Sequence, residues 1–262
     1  MNAIPIYGSP ALLVKTKRER SLVVADLHLG IESELTAKGM ALPSQIPRVK
    51  EELVRLINKH KPDRLIFLGD VKHNIPIASW REWRELPQFF EELSKLTRVD
   101  IVRGNHDGGI EGMIPKNVAV HDARGIVLGK QKRIGLMHGH TWPSPNLLDT
   151  QIIVMGHNHP VIELRDGSGG KAIEPVWIEA ELNVKKFPKK LQPWFKGDPP
   201  KLLVMPAFSK LVGGAIMNRE LPEEYIGPIF KAGAVELEEA KAYLLDGTFL
   251  GKIANLRTNS VK

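Results

Sequence analysis

The segment "RLIFLGDVKHN", Arg64 to Asn74, decides the fold, because an unbroken apolar run passes directly into a glycine, an aspartate and, three residues later, a histidine. A run of that length with no polar alternation reads as a strand covered on both faces. The same grammar recurs along the chain. "SLVVA" (Ser21 to Ala25) runs into "DLHLG", "VDIV" (Val99 to Val102) into "RGNHDGG", "RIGLM" (Arg133 to Met137) into "HGHTW", and "QIIVM" (Gln151 to Met155) into "GHNHP". Strands that each release Asp, Asn or His at their C-terminal end are how α/β sheets assemble a shared site.

Between the early strands lie helical patterns. "QIPRVKEELVRLINKH" puts Ile46, Val49, Leu53, Leu56 and Ile57 on one face. "SWREWRELPQFFEELSKL" has helical spacing through Trp80, Trp83, Leu86, Phe90 and Leu93, with Pro87 expected to kink or split it. After Lys116 the pattern turns to strands: "VIEL", "AIEPVWIEAEL", "LLVMP", a short strand "AIMN", and a hairpin around Asp246-Gly247. The Lys- and Pro-dense "KKFPKKLQPWFKGDPPK" reads as a long exposed loop. An α/β first half and a mostly β second half imply two packed sheets with helices outside.

The 262 residues are 42% hydrophobic and contain no cysteine, which excludes disulfides and thiolate metal sites. Any metal must then be held by histidine, carboxylate and amide, and the chain has nine histidines. The net charge of +7 favours a polyanionic partner at the level of encounter. No run approaches the roughly 18 apolar residues of a membrane span, and "MNAIPIYGSP" lacks the basic-then-apolar order of a secretory signal. The expectation is a cytoplasmic protein with no membrane contact.

The ordered set D-x-H, G-D, G-N-H-D, H-G-H, G-H-x-H, present from Ser21 to Pro160, resembles the calcineurin-like metallophosphoesterases. The resemblance implies a four-layer αββα sandwich of two mixed sheets flanked by helices. A single domain over residues 1–262 is expected, with the metal motifs in 21–160 and the second sheet and rim loops completed in 161–262. It also implies two divalent ions, Mn first, with Fe, Zn or Ni as alternatives. Asp26, His28 and His159 correspond to the ligands of one ion, Asn105, His138 and His157 to those of the other, and Asp70 to the bridge. His106 corresponds to the catalytic histidine, with Asp107 placed to orient it, or else a backbone group holding its tautomer. Such a pair of ions shares a bridging water and lowers its pKa, so that hydroxide attacks the phosphorus.

The form G-D-x-x-H is similar to the nuclease branch of that family, where a histidine at the position of His73 faces the substrate; a place behind the ligands or in solvent is the competing reading. "DLHLG", "GDVKH" and "PAFSKLVGG" (Pro206 to Gly214) together resemble the SbcD-related, PdeM-type phosphoesterases of archaea and bacteria. That resemblance implies a phosphodiesterase or nuclease acting on single-stranded nucleic acid in DNA repair, with helicase or ligase partners. A phosphohydrolase of nucleotides or small phosphomonoesters is the alternative, favoured if the basic turns point away from the site, and a non-catalytic scaffold the remote one. Basic runs "KTKRER" (Lys15 to Arg20), "GKQKR" (Gly129 to Arg133) and "KKFPKK", with Trp142, Trp194 and Phe195 as stacking surfaces, would hold a strand. Equally, the runs are solvated turns and the aromatics pack loops. "SWREWREL" is a candidate homodimer surface.

Overall fold

The computed structural model describes residues 2–40, 42–130, 133–166, 168–219 and 225–257. The first sheet is built from β1 (Asn2–Pro5), β2 (Ala11–Lys15), β3 (Arg20–Val24), β4 (Arg64–Leu68), β5 (Arg98–Val102) and β6 (Ala119–His121), side by side in chain order. β1 to β3 are antiparallel, and β3 to β6 run parallel. The second sheet uses β7 (Ile126–Leu128), β8 (Ile134–Met137), β9 (Ile152–Met155), β10 (Val161–Arg165), β11 (Lys171–Ala180), β12 (Lys201–Val204), β13 (Lys241–Leu244) and β14 (Phe249–Lys252). Its order is β14-β13-β11-β12-β9-β8-β7, with β10 on β11, and its centre, β12-β9-β8, is parallel.

Alternation along the strands divides the core into three layers. Leu65 and Phe67 of β4 pack outward with the helices, whereas Ile66 and Leu68 point inward against the second sheet. Leu136, Val154, Trp177 and Leu203 answer them from the second sheet. Ile153, Met155, Val176 and Val204 turn to the opposite outer face. Fully burying a side chain of this size contributes about 1.5–3 kcal/mol, so both faces of both sheets are committed, and the strands cannot slip register without exposing one of them.

α1 (Ile31–Ala37), α2 (Ile46–His60) and α3 (Trp80–Ser94) cover the first sheet. The second is covered by two four-residue helices, α4 (Pro228–Lys231) and α5 (Ile253–Leu256), with 3-10 turns and loops. Its helical layer is therefore much reduced. α3 runs unbroken through Pro87. The carbonyl left without an N–H partner is that of Trp83, and Trp83 and Trp80 stand 49% and 73% exposed rather than in the core. Phe89 takes their place beside Leu86, Phe90 and Leu93. "AIMN" forms one isolated bridge, Val161 to Ile216, in place of a strand. The Lys185–Lys201 segment is anchored rather than free, since its Phe187 and Leu191 are buried. Trp142 and Phe195 flank Phe187 at ring separations of 5.1 and 5.0 Å, which makes them loop packing. Among the described residues no helix is long and apolar enough to cross a membrane.

Candidate metal centre

β3, β4, β5, β8 and β9 all end at the same edge of the two sheets, and the polar clusters that follow them meet there. Of the nine histidines, His28, His73, His106, His138, His140, His157 and His159 gather in this one place. Placing them requires unusual backbone. Among the described residues only six non-glycines have positive φ, and five are Asp26, His28, Asp70, His157 and His159, at 44° to 71°. Left-handed backbone costs free energy for residues with a Cβ and persists where the surroundings over-determine it.

The motif glycines have a steric task. A Cβ on Gly104 would lie 2.2 Å from the Asp70 backbone nitrogen, one on Gly156 2.4 Å from Asp26 Oδ2, and one on Gly69 2.4 Å from the His138 ring. Each is the close approach that lets one ligand strand pack its neighbour's ligand.

Two groups of donor atoms converge, each within 4.8 Å: Asp26, His28 and His159, and Asp70, His138 and His157. The facing pairs are unlike those of ordinary packing. His28 Nε2 lies 3.4 Å from His159 Nε2, and His157 Nδ1 3.1 Å from His138 Nε2. Asn105 Oδ1 is 3.2 Å from His138 Nε2. Asp70 Oδ2 lies 3.3 Å from His138 Nε2 and 3.6 Å from His28 Nε2, between the two groups. The outward nitrogens are tethered to acceptors: His138 Nδ1–H donates to the Leu68 carbonyl at 3.0 Å and His159 Nδ1–H to the Gly213 carbonyl at 2.9 Å. When neutral, both rings therefore aim an Nε2 lone pair inward, the arrangement typical of metal-bound histidine. Buried lone pairs converging without N–H groups of their own are what a cation satisfies, so the donor set fits divalent ions of the Mn, Fe or Zn kind.

Charge tells the same story. Burial pushes the Asp26 carboxyl up, but His159 and His138 more than offset it and hold it below the usual range. Asp70 is likewise held below the usual range, against burial, by His138. Burial opposes protonation of His138, yet Asp70 and Asp26 raise it to about 9. His28 and His157, which burial drives down to about 3, stay neutral. Without ions, protonated histidine supplies the positive charge that the carboxylates demand, and a metal would displace those protons.

His106 lies beside the pair. Its backbone N–H donates to Asp70 Oδ1 at 2.9 Å, its Nδ1–H to the His73 carbonyl, and its Nε2 stands 4.0 Å from Asp70 Oδ2. The orienting group is thus a backbone carbonyl. Asp107 instead accepts the N–H groups of Val71 and Gly104, each at 2.8 Å, and ties the two ligand loops together. The His73 ring lies against His28 and His106 and reaches Glu34 Oε2 at 2.6 Å.

Some participants went unread in the sequence. Buried Glu82 accepts the N–H groups of His73 and Asn74, both at 3.0 Å, while completing the capping box of α3 with Ser79; the S-x-x-E spacing of "SWRE" was its signal. The Pro206–Gly214 loop lies at the site, since the N–H groups of Phe208 and Ser209 donate to the carbonyls of Ala25 and Asp26. His140, which had no role, stands 5.3 Å from His138 ring to ring with Nδ1 buried and unpartnered.

A shallow groove leaves the centre at His28, between Gln45, Arg48 and Val49 of α2's first turns and Phe208 and Lys210. A larger cavity of about 650 Å³ lies at the opposite edge and is lined by Arg133, Asp149, Lys196 and Lys201. Arg133 pairs there with Asp149 and Lys201 with Glu181, and no metal-type cluster lines it among the described residues.

The chain is also similar to proteins of known structure. A nuclease of Pseudomonas putida called MPE is 20% identical with a TM-score of 0.51, the match covering 94% of this chain and 98% of that one. The phosphoesterase YfcE of E. coli is 21% identical with a TM-score of 0.37, over 56% of this chain and 74% of that one. No curated protein matches the sequence. The model of the calcineurin-like phosphoesterases, however, matches residues 20–191, every ligand strand included, and the chain therefore belongs to that family of metal-dependent phosphoester hydrolases.

Proposed function

We propose that the protein is a two-metal phosphodiesterase that cleaves nucleic acid, single-stranded or at ends, with Mn as its working ion. Asp26, His28 and His159 hold one ion, Asn105, His138 and His157 the other, and Asp70 both. Bound ions would supply an activated water and neutralise charge on the phosphoryl oxygens. The chain itself does the positioning. His106, its Nδ1–H fixed on the His73 carbonyl, presents Nε2 beside Asp70, and as the imidazolium that nitrogen donates to a phosphoryl oxygen or to the departing alkoxide. Asp107 holds the loops of Asp70 and His106 in register.

The observation that carries the reading is the groove at His28. Arg48 and Lys210 line it beside a centre already made for a phosphate, which gives the next phosphate of a strand a place to sit. A shared fold with a nuclease makes an oligonucleotide the first substrate to try.

A second reading, hydrolysis of nucleotides or small phosphomonoesters, has its own observation. The Lys15–Arg20 turn precedes β3 and the Gly129–Arg133 turn precedes β8, so both sit at the strand ends opposite the ligands. Within the second turn, Gln131 and Lys132 lie outside the described residues. Among the described residues, Arg48 and Lys210 of the groove at His28 are then the basic side chains beside the centre.

Metal-stripped protein refilled with Mn is assayed on bis-p-nitrophenyl phosphate, p-nitrophenyl phosphate and a labelled single-stranded oligonucleotide, with His106→Ala as control. Cleavage of the diester and oligonucleotide, lost in the control and weakened for the oligonucleotide alone by Arg48→Ala with Lys210→Ala, is the expected result. Activity confined to the monoester would transfer the assignment to small substrates.

A further inference from the structure

We infer that Glu34 and His73 form a hydrogen-bonded chain behind His28 that decides which of its nitrogens is offered to a metal, making both of them positioning residues of one ion site. The inference rests on the two-metal reading above and names the device that orients one of its ligands.

Three imidazoles at the centre have Nδ1 on a backbone carbonyl: His138 on Leu68, His159 on Gly213 and His106 on His73. A carbonyl only accepts, so the proton stays on Nδ1 and the Nε2 lone pair of a neutral ring faces inward. His28 is different. Its Nδ1 faces another imidazole, Nδ1 of His73, at 3.1 Å. That partner can donate or accept, so by itself it leaves the tautomer of His28 open.

Glu34 closes the choice. Its Oε2 lies 2.6 Å from His73 Nε2, and a carboxylate is an acceptor only. A neutral His73 then carries its proton on Nε2, its Nδ1 lone pair accepts from His28, and His28 holds its proton on Nδ1. Its Nε2 lone pair is then bare toward Asp70 Oδ2 and His159 Nε2, 3.6 and 3.4 Å away. The reversed chain would set a lone pair of His73 against the carboxylate and turn an N–H of His28 into the ion site. One exposed carboxylate thus fixes the polarity of two buried rings.

The backbone of His73 is held separately, by Glu82. Loss of its ring should therefore leave the carbonyl that orients His106 in place. The same geometry also separates this inference from its rival, because His28, His73 and His106 by themselves form a group able to hold an ion. Under the relay, the Nδ1 of each of the three rings is already committed to a hydrogen bond, and no third ion binds.

The test is Mn binding, measured by calorimetry and chelator competition on metal-free wild type, Glu34→Ala, Glu34→Gln and His73→Ala, with the thermal midpoint of each metal-free protein. Wild type should take up two ions. Glu34→Ala and His73→Ala should weaken one of them about 10- to 100-fold, leaving the other within about twofold and the midpoint unchanged. Glu34→Gln, whose amide oxygen accepts the same N–H without the charge, should recover part of the loss. Unchanged affinities in both alanine variants, above all with turnover of the diester reduced, would overturn the relay and return His73 to the substrate. A third ion in wild type would overturn it as well. Wild type that binds no metal would remove the centre and the relay together, a result distinct from a filled centre indifferent to Glu34.

Discussion

The two ends of the first sheet both bury carboxylates among histidines, yet they are built on opposite plans. Away from the ligand edge, Asp100 in the middle of β5 receives Nε and Nη2 of Arg64, the first residue of β4, at 2.5 and 2.7 Å and Nε2 of His121, the last residue of β6, at 2.7 Å. Arg98 and Glu19 extend the network. Donors meet acceptors, and the cluster is closed. At the C-terminal ends, Asp26 and Asp70 face imidazole nitrogens at 3.3 to 3.6 Å, while ring nitrogens face one another. Neutral rings would set acceptor against acceptor, and the cluster is complete only with a positive charge at its centre, a proton or a metal ion. Both ends are rich in acid and histidine, so composition does not separate a structural knot from a metal centre; the complementarity of the facing atoms does.

The sharpest way to break this contrast is to remove one carboxylate from each end. Asp70→Ala should lower metal-dependent phosphoester hydrolysis by at least about 10²–10³-fold with any ion supplied. Asp100→Ala should leave turnover nearly unchanged. It should instead cost about 3 kcal/mol of stability in urea unfolding, because the buried guanidinium of Arg64 loses its bidentate partner. Equal losses of activity from both variants would mean that the far end is coupled to the chemistry and that the division is wrong.

A finer probe works within the site end. Gly104→Ala places a methyl 2.2 Å from the backbone nitrogen and Oδ1 of Asp70, whereas Gly108→Ala, four residues on, meets nothing within 4 Å. The first should weaken metal binding about tenfold or more by displacing the carboxylate. The second should be silent in the same titration. If both are silent, the close packing of "GNH" against "GD" has slack and is not what holds the ligands.

How much of this could be read from the sequence follows from the range of the forces involved. Strand interiors were legible to within a residue, because "RLIFL" or "QIIVM" carries its burial in its own letters. Convergence of Asp26, Asp70 and Asn105 was legible too, since parallel neighbours must end at one edge. What escaped were contacts between residues whose letters have strong ordinary readings. Trp80 and Trp83 have helical spacing and apolar rings, but the helix turns on Leu86, Phe89, Phe90 and Leu93 and leaves both tryptophans outside. Glu82 reads as a cap, and its reach to His73 depends on a bend no periodicity encodes. Asp107 follows His106 in the chain, which made it the natural partner, yet its carboxylate turns back to the N–H groups of Gly104 and Val71. The closed network at the other end was invisible for the same reason: Arg64, Asp100 and His121 are far apart in sequence and unremarkable one by one.

The smallest predicted effect concerns pH, and it tests whether the closed end is closed. Burial pushes the Asp100 carboxyl up, but its hydrogen bonds to Arg64 and His121 more than offset this and hold it below the usual carboxylate value. A group whose pKa is depressed by folding contributes stability above its unfolded value, near about 3.9 for aspartate, and loses that contribution as the pH falls through the folded value. The difference in unfolding free energy between wild type and Asp100→Asn should therefore be constant from about pH 7 to 5 and shrink below about pH 4. A gap that instead grew on acidification would mean that Asp100 is already protonated in the folded protein. The Asp100 network would then be a neutral hydrogen-bonded cluster, and the contrast between the two ends would be one of charge as well as of geometry.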